Sequence, residues 1–389
     1  MNVLKLVLRI TVSIAISGLF VWLSLRNAPI RQVAQAIADC DKTPLLLYTV
    51  LLLFVHLVRT VRWGILLEPL GHVGFSRLNS ASAVGFMLLI VLPLRLGELA
   101  RPLLIARPPV GRGAHLRRSG AMASVVVERI ADGLFVGLLG VLALRALGAR
   151  AGGDNADFAR RAAVLVSLGF FTLCVLLVAA FFLRERALEL ATRLLSPLSP
   201  KLAGRVTSMV DAFIGALHLG SGWKVLGFLG LTALYWACAT GGLLLVAPAF
   251  GIHLGPLEAC AVLAIQVVGA MVPAGPGMVG TLQFFTQTGL SLFVPGALGS
   301  GPEGVHAAAY ANTVWLLQFG QQVGLGLIFM AMGHVSLRGL LGKGGAEDEA
   351  APPPGATAAW PEAARDLAAR GGGSRGAARA RNGGPRNRP

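Results

Sequence analysis

Long uninterrupted blocks of apolar residues constrain this chain more than any other feature of its sequence. The blocks are about 18 to 25 residues long, which is the length of a helix that crosses a hydrocarbon core of about 30 Å. Only 13% of the 389 residues are charged, whereas soluble domains carry about 25%. The sequence therefore predicts an all-α polytopic integral membrane protein and excludes a soluble enzyme or a secreted disulfide scaffold.

The formal net charge of +16 comes from basic residues that lie between the apolar blocks. Basic residues in such positions set membrane orientation and attract anionic lipids, so we predict a membrane partner and no nucleic acid. The four cysteines are widely separated, and we expect no metal site and no cofactor. GxSxG, Walker A and HExxH motifs are missing from the sequence, which argues against common enzyme classes.

We expect about six full spans, because six apolar blocks have the length that a bilayer requires. They cover residues 6–25, 45–61, 122–144, 162–183, 225–246 and 305–332. Residues 30–38 form an amphipathic pattern, which predicts a short helix at the outer interface. Arg59, Arg62 and Trp63 end the second span and are expected to anchor it on the cytoplasmic side. By the positive-inside rule, the chain is a multi-pass plasma-membrane protein with both termini in the cytoplasm.

Two further apolar blocks are broken in the middle by proline or glycine. Residues 78–106 are interrupted at Pro93 and have basic flanks, which predicts a hairpin that enters and leaves on the cytoplasmic side. Residues 257–293 are interrupted by a Pro- and Gly-rich turn and have neutral flanks, so this hairpin is expected to open outward. Two broken hairpins that open on opposite sides of the membrane suggest an inverted repeat, in which the substrate binds between the discontinuous helices. Eight ordinary spans of uneven length are the alternative.

Residues 338–389 are expected to be a disordered basic cytoplasmic tail that follows a membrane domain of residues 1–337. The tail is rich in Gly, Ala, Pro and Arg, a composition that buries too little apolar surface to fold. It either touches anionic head groups or is a solvated linker without a function.

Charged residues inside the apolar blocks are the first candidates for a functional site, because each costs about 2.5–3.5 kcal/mol at the centre of a membrane helix. Arg95, Glu98 and Arg101 recur every three residues, so a helix after Pro93 would place them on one face. A guanidinium group suits a lipid phosphate, which it grips with two hydrogen bonds. The alternative is that these residues snorkel from a hairpin end to the interface.

A second charged group, Glu128, Arg129 and Asp132, lies in the next block. Its two carboxylates are four residues apart and share a helix face. They either contact a substrate amine, bind a coupling proton or neutralise the arginines of the preceding hairpin. We predict that both charged groups form one connected polar network, because uncompensated charges at this depth are too costly.

The third candidate is the turn that contains Pro273, Pro276, Gly277, Gly280 and Gln283. Proline and glycine at this density break a helix and leave backbone N–H and C=O groups without partners. Hydrocarbon cannot satisfy such groups, so we expect a buried re-entrant tip that contacts a lipid head group. A simple loop between two spans is the alternative.

These three motifs and the Arg59-Thr-Val-Arg62-Trp63 segment resemble, in order and spacing, those of the lysylphosphatidylglycerol synthase transmembrane-region family, whose members are also described as flippase-like. The resemblance covers about residues 5–335. Two positions depart from the family pattern: Met278 replaces a glycine and Gln283 replaces a glutamate. Gln283 forms hydrogen bonds but does not ionise, so substrate or coupling is expected to differ.

The resemblance implies a lipid translocase that moves an anionic phospholipid or a polyprenyl-phosphate lipid between leaflets. The aminoacyltransferase domain of bifunctional members has no counterpart here, so we do not expect lysyl transfer. A membrane-embedded transferase, or an accessory protein of envelope lipid synthesis, is the alternative. Self-association into a homo-oligomer is left open. No catalytic residue is assigned, and the implied substrate-binding residues are Arg59, Arg62, Arg95, Glu98, Arg101, Glu128, Arg129, Asp132, Pro273, Pro276, Gly277, Gly280 and Gln283.

Overall fold

The computed structural model describes residues 3–92, 97–106, 116, 118–147, 222–272 and 274–332, with scattered positions between 161 and 175. Within these residues the regular elements are helices. They are α1 (Val3–Leu25), α2 (Ile30–Asp39), α3 (Thr43–Leu67), α4 (Phe75–Val91), α5 (Ala100–Ile105), α6 (Arg118–Leu147), α7 (Gly222–Val246), α8 (Pro256–Met271), α9 (Thr281–Leu290) and α10 (Pro302–Ala331). The chain is an all-helical polytopic membrane protein. The predictions for residues 338–389 lie outside the described residues.

Three described helices are long and apolar enough to cross a membrane. They cover Thr43–Leu70, Gly222–Phe250 and Pro302–Ala331. The pair α1 and α2 passes the same test together, although a bend of 73° separates its two parts, Thr11–Leu25 and Ile30–Asp39. Three or four of the expected six spans are therefore supported. Most of the expected span 162–183 lies outside the described residues, and α6 is a 30-residue helix that carries the second charged group.

The amphipathic helix α2 is present, and the short connection after it directs the chain into α3. Lys42 Nζ donates to the final carbonyls of α2, those of Ile37 and Ala38, at 2.6 and 2.8 Å, where a cation compensates the negative end of the helix. Asp41 Oδ1 accepts a hydrogen bond from the backbone N–H of Thr43 at 2.9 Å. This bond, which lowers the pKa of the exposed Asp41 carboxyl, satisfies an N–H group at the beginning of α3.

The sequence had predicted that the second span ends on an interfacial anchor, but the structure of α3 differs. It continues to Leu67, and both Arg62 and Trp63 are completely buried. Trp63 Nε1 donates to Ser124 Oγ of α6 at 3.0 Å. The prediction was wrong because the carboxylates that allow Arg62 to be buried come from a helix that follows much later in the chain.

The first broken block folds back on itself. Helix α5 runs antiparallel to α4: Gly85 faces Arg101, and Arg77 donates to the carbonyl of Ile105 at 2.7 Å. A Cβ atom on Gly85 would lie 2.7 Å from Cβ of Arg101, so glycine permits this close packing. The predicted helix after Pro93 is shorter than expected, since residues 97–99 form a 3-10 turn and α5 begins only at Ala100.

The second broken block is also a folded-back pair, formed by α8 and α9. Gly269 lies against Phe285, and Gly289 lies against the backbone of Val262 at the other end of the pair. The turn at the tip includes a 3-10 segment, Pro276–Met278, which packs against α4 of the first pair. We call the two units hairpin 1 (α4 and α5) and hairpin 2 (α8 and α9). The inverted repeat stays a prediction.

The membrane orientation can be tested with cysteines introduced into the basic segments. In a Cys40→Ser background, Gly113→Cys and Gly345→Cys are expected to be protected from an impermeant thiol reagent in intact cells and labelled after lysis. The expectation follows from the arginines on both sides of Gly113 and from Arg338 and Lys343, which lie between the last span and Gly345. Native Cys40, in the connection between α2 and α3, is the matched outside position and should be labelled in intact cells. Labelling of Gly113→Cys or Gly345→Cys before lysis would contradict the orientation.

Candidate functional site

A buried ionic network joins α3, α5 and α6. Arg62 lies at its centre and binds two carboxylates of α6. Arg62 NH1 donates to Asp132 Oδ1 at 2.5 Å, and Arg62 NH2 donates to Glu128 Oε1 at 2.7 Å. A further bond runs from Arg62 NH2 to Asp132 Oδ2 at 3.1 Å. The i, i+4 spacing of Glu128 and Asp132 presents both carboxylates to one guanidinium group.

Hairpin 1 enters the same network through Arg101, which donates to the second oxygen of Glu128. Arg129 NH1 lies 3.8 Å from Asp132 Oδ2, and the Glu98 carboxylate attracts the Arg129 guanidinium. The structure therefore brings Arg101, Glu128, Arg129 and Asp132 together. The Arg101 guanidinium forms its salt bridge with the Glu128 carboxylate of α6.

The burial of this network indicates that it holds the helices together. Arg62 is 0%, Glu128 1% and Arg101 3% exposed. A buried charge that keeps its partner is tolerated, whereas removal of one partner leaves an uncompensated charge and costs about 3–5 kcal/mol. The geometry therefore supports one of the roles left open above for these carboxylates, which is to neutralise the arginine that hairpin 1 contributes, Arg101. Arg95 lies outside the described residues.

Arg59 is one turn before Arg62 on α3, but its surroundings are different. Its guanidinium carbon lies 3.6 Å from the ring centroid of Phe86 and 5.5 Å from that of Tyr235. Among the described residues, no carboxylate forms a salt bridge with Arg59. Aromatic faces attract a cation but do not neutralise it. Among the described residues, Arg59 thus contacts aromatic faces without a salt bridge, and it lies next to the ionic network, whose Glu128 carboxylate attracts it.

This positive charge lines a cavity of about 180 Å³ between the helices. Both hairpins contribute to its wall, hairpin 1 through Phe86 and hairpin 2 through Gln266 and Leu282. The polar residues described in the wall come from α3, α7, α8 and α10: Tyr48, His56, Arg59, Tyr235, Cys238, Gln266, Gln318, Gln321 and Gln322. His56 Nε2 is 2.9 Å from Asn79 Oδ1. The described wall thus combines these polar groups with apolar side chains such as Leu52, Leu263 and Leu282, and its only formal charge is that of Arg59.

The tip of hairpin 2 does not present unsatisfied backbone to a ligand, which corrects the sequence-based expectation. Serines of α1 bind two of its groups. Ser13 Oγ donates to the carbonyl of Ala274, and the N–H of Gly275 donates to Ser17 Oγ, both at 2.8 Å. Trp315 of α10 donates to the carbonyl of Gly277 at 2.8 Å. Protein side chains, rather than water or substrate, satisfy these groups.

Gln283 also has a structural role at this tip. Its Oε1 accepts from the backbone N–H of Gly280 at 2.8 Å, which caps the beginning of α9, and the residue is only 3% exposed. Gly277 and Gly280 adopt φ angles of +77° and +82°, a region that favours glycine. The structure places Gly277, Gly280 and Gln283 in a turn packed against α1 and α10, whereas Pro276 is exposed. Pro273 lies outside the described residues.

A comparison with known protein families identifies the chain. The profile of the lysylphosphatidylglycerol synthase TM region matches residues 10–311, which is more than half of its length. The chain belongs to this family. The resemblance read from the motifs is thereby confirmed. No curated protein and no solved structure matches the chain.

In this member of the lysylphosphatidylglycerol synthase TM region family, sequence reasoning missed the glutamines of the cavity. Gln318, Gln321 and Gln322 lie on one face of α10, and Gln266 faces them from hairpin 2. A signal was present, because three glutamines within five residues are unusual in an apolar span. The site prediction rested on formal charges, which glutamine lacks. The three α10 residues also lie beyond the matched residues 10–311.

Proposed function

We propose that this protein is a lipid translocase that moves an anionic phospholipid or a polyprenyl-phosphate lipid between the leaflets of the plasma membrane. The observation that carries the proposal is Arg59, a cation without a salt-bridge partner among the described residues, in the wall of a partly polar cavity inside a membrane protein. A lipid phosphate would supply a negative charge beside Arg59 and accept the hydrogen bonds of the guanidinium fork.

The size of the cavity supports the binding of a head group. Its volume of about 180 Å³ is below the lower limit of roughly 300 Å³ for pockets that hold drug-sized ligands. Such a space accommodates a phosphate with a small substituent, while the acyl or prenyl chains stay in hydrocarbon. A cavity that holds the polar head group shields it from hydrocarbon. Exposure of the head group to hydrocarbon is the main barrier to movement of a lipid between leaflets.

The arrangement of acids favours translocation over the transferase alternative. A transferase that activates an acceptor needs a general base beside the reacting group. Both Glu128 and Asp132 are held by arginines, and neither is among the described residues that line the cavity. The histidine of the described wall, His56, is engaged by Asn79 through its Nε2 atom. Product analysis separates the two functions, since a transferase makes a new lipid in detergent and a translocase only redistributes one across sealed vesicles.

Arg59→Gln is expected to reduce lipid movement at least tenfold, because loss of a charged hydrogen bond costs about 1.5–3 kcal/mol. The measurement uses purified protein in sealed phosphatidylcholine vesicles with trace phosphatidylglycerol that carries a fluorophore on one acyl chain. An impermeant reductant bleaches the outer leaflet, and the bleaching of the inner pool reports transfer.

Arg31→Gln is the matched control, because Arg31 is exposed on α2 and does not line the cavity. Its transfer rate should equal that of the wild type. Transfer by the wild type that is no faster than in protein-free vesicles, for both phosphatidylglycerol and a fluorescent polyprenyl phosphate, would overturn the proposal. Equal rates for Arg59→Gln and Arg31→Gln would remove Arg59 from the binding site.

A further inference from the structure

We propose that the cavity selects a phosphate head group that carries hydroxyls, such as phosphoglycerol or a phosphosugar, and rejects head groups that carry an amine. This inference rests on the proposed function and specifies its substrate class. It comes from the glutamines that line the cavity together with Arg59, of which Gln318, Gln321 and Gln322 lie beyond the residues that the family match covers.

The glutamines form a hydrogen-bonding wall. Gln318, Gln321 and Gln322 follow the i, i+3, i+4 spacing that places residues on one helix face, and all three line the cavity. Gln318 Nε2 donates to the hydroxyl of Tyr48 at 2.8 Å, which orients the Tyr48 side chain. Gln321 Nε2 is buried and has no hydrogen-bond partner among the described residues.

The amide of Gln321 is therefore available to a ligand oxygen. Leaving such a donor unsatisfied costs about 1–3 kcal/mol, and a ligand oxygen removes that cost. Another polar residue of the cavity wall, Gln266, is 5% exposed and belongs to hairpin 2. A ligand that bridges Gln266 and Gln321 would therefore contact hairpin 2 and α10 at the same time.

The chemistry of the wall matches hydroxyl groups. A glutamine side chain offers two donors and an acceptor, and a hydroxyl both donates and accepts, so the two are complementary. Phosphoglycerol and phosphosugars share this chemistry, with hydroxyls next to a phosphate. The phosphate would bind Arg59, and the hydroxyls would bind the amides.

The same wall disfavours an amine. An ammonium group has three donors and no acceptor, so its burial requires an anionic partner. None of the described residues that line the cavity is acidic, and Arg59 adds like-charge repulsion. Ethanolamine and lysyl head groups are therefore expected to be poor substrates, although the family takes its name from a lysyl lipid.

The test compares lipids with identical fluorescent acyl chains in the vesicle assay described above. Phosphatidylglycerol is expected to cross at least tenfold faster than phosphatidylethanolamine or lysyl-phosphatidylglycerol. Phosphatidic acid, which has the phosphate but lacks the hydroxyls, should fall between them. Phosphoglycerol and phosphosugar head groups share the same chemistry, so the assay also includes a fluorescent polyprenyl-phosphate hexose. Whichever of this lipid and phosphatidylglycerol crosses faster identifies the natural class.

Variants of Gln321 separate hydroxyl recognition from folding. Gln321→Leu should lower the ratio of the phosphatidylglycerol rate to the phosphatidic acid rate to about one. Gln321→Glu, which keeps the shape of the side chain and adds an anionic acceptor, should raise the rate for phosphatidylethanolamine at least threefold. A gain of this kind requires a folded protein, so it distinguishes a changed site from a misfolded chain.

The outcomes distinguish this inference from the proposed function. If no lipid moves faster than in protein-free vesicles, the translocase proposal fails. If lipids move but phosphatidylethanolamine or the lysyl lipid crosses as fast as phosphatidylglycerol, translocation stands and the head-group assignment is overturned. Unchanged rates in both Gln321 variants would likewise overturn the assignment.

Discussion

Glu128→Gln is expected to destabilise the protein by about 3–5 kcal/mol, the cost of breaking a buried ion pair. The carboxylate of Glu128 binds Arg62 of α3 and Arg101 of hairpin 1 at the same time. Glutamine has nearly the same shape but no charge, so both guanidinium groups would keep their burial and lose an anion. The protein is heated in detergent, and the folded fraction that remains is measured by size-exclusion chromatography. The midpoint temperature of unfolding should fall clearly.

Glu68→Gln is the matched control for this result. Glu68 forms a salt bridge with Lys224 at 2.8 Å, but both side chains are exposed to solvent, at 51% and 39%. Exposed ion pairs contribute about 0–1 kcal/mol, so the midpoint should change little. Equal shifts in the two variants would show that burial of the network does not determine its contribution.

Gly280→Ala is the second change for which we expect a large effect. A Cβ atom at this position would lie 2.3 Å from the backbone nitrogen of Val21, and the φ angle of +82° is unfavourable for any L side chain. Because the neighbour is backbone, α1 must move away from the tip of hairpin 2. We expect a lower unfolding midpoint and a loss of lipid transfer together, measured on the same preparation.

Gly18→Ala on α1 is the control, since a Cβ atom there meets nothing within 4 Å. Alanine in a helix is favoured over glycine by roughly 0.5–1 kcal/mol, so this variant should be at least as stable as the wild type. A Gly280→Ala variant with the wild-type midpoint would contradict the close packing of α1 on the tip.

Much of the fold was predictable because its signals are local. Apolar blocks of bilayer length predicted α3, α7 and α10, and the proline- and glycine-rich breaks predicted two folded-back helix pairs. The candidate charges were also identified, since any charge inside an apolar block is costly. The network of Arg101, Glu128 and Asp132 follows from that cost, although the sequence did not show which partner each residue takes.

The remaining features depend on contacts between distant segments, which local patterns do not report. Arg62 was interpreted as an interfacial anchor because its partners, Glu128 and Asp132, lie more than 60 residues away. The tip of hairpin 2 was expected to contact a ligand because the serines that satisfy it belong to α1. The cavity glutamines were missed for another reason. The site was predicted from formal charges, and glutamine side chains are neutral.

The contact between α1 and hairpin 2 has a consequence for the order of assembly. Ser13, Ser17 and Ser24 hydrogen-bond residues that follow them by 258 to 263 positions. At roughly 5–20 residues per second, the ribosome finishes the tip tens of seconds after α1 has emerged. Helix α1 therefore waits in the bilayer with its serine face uncovered until hairpin 2 is inserted. Helix α1 is synthesised long before hairpin 2 and completes its packing only when that hairpin arrives, so the contact between them forms late in biogenesis.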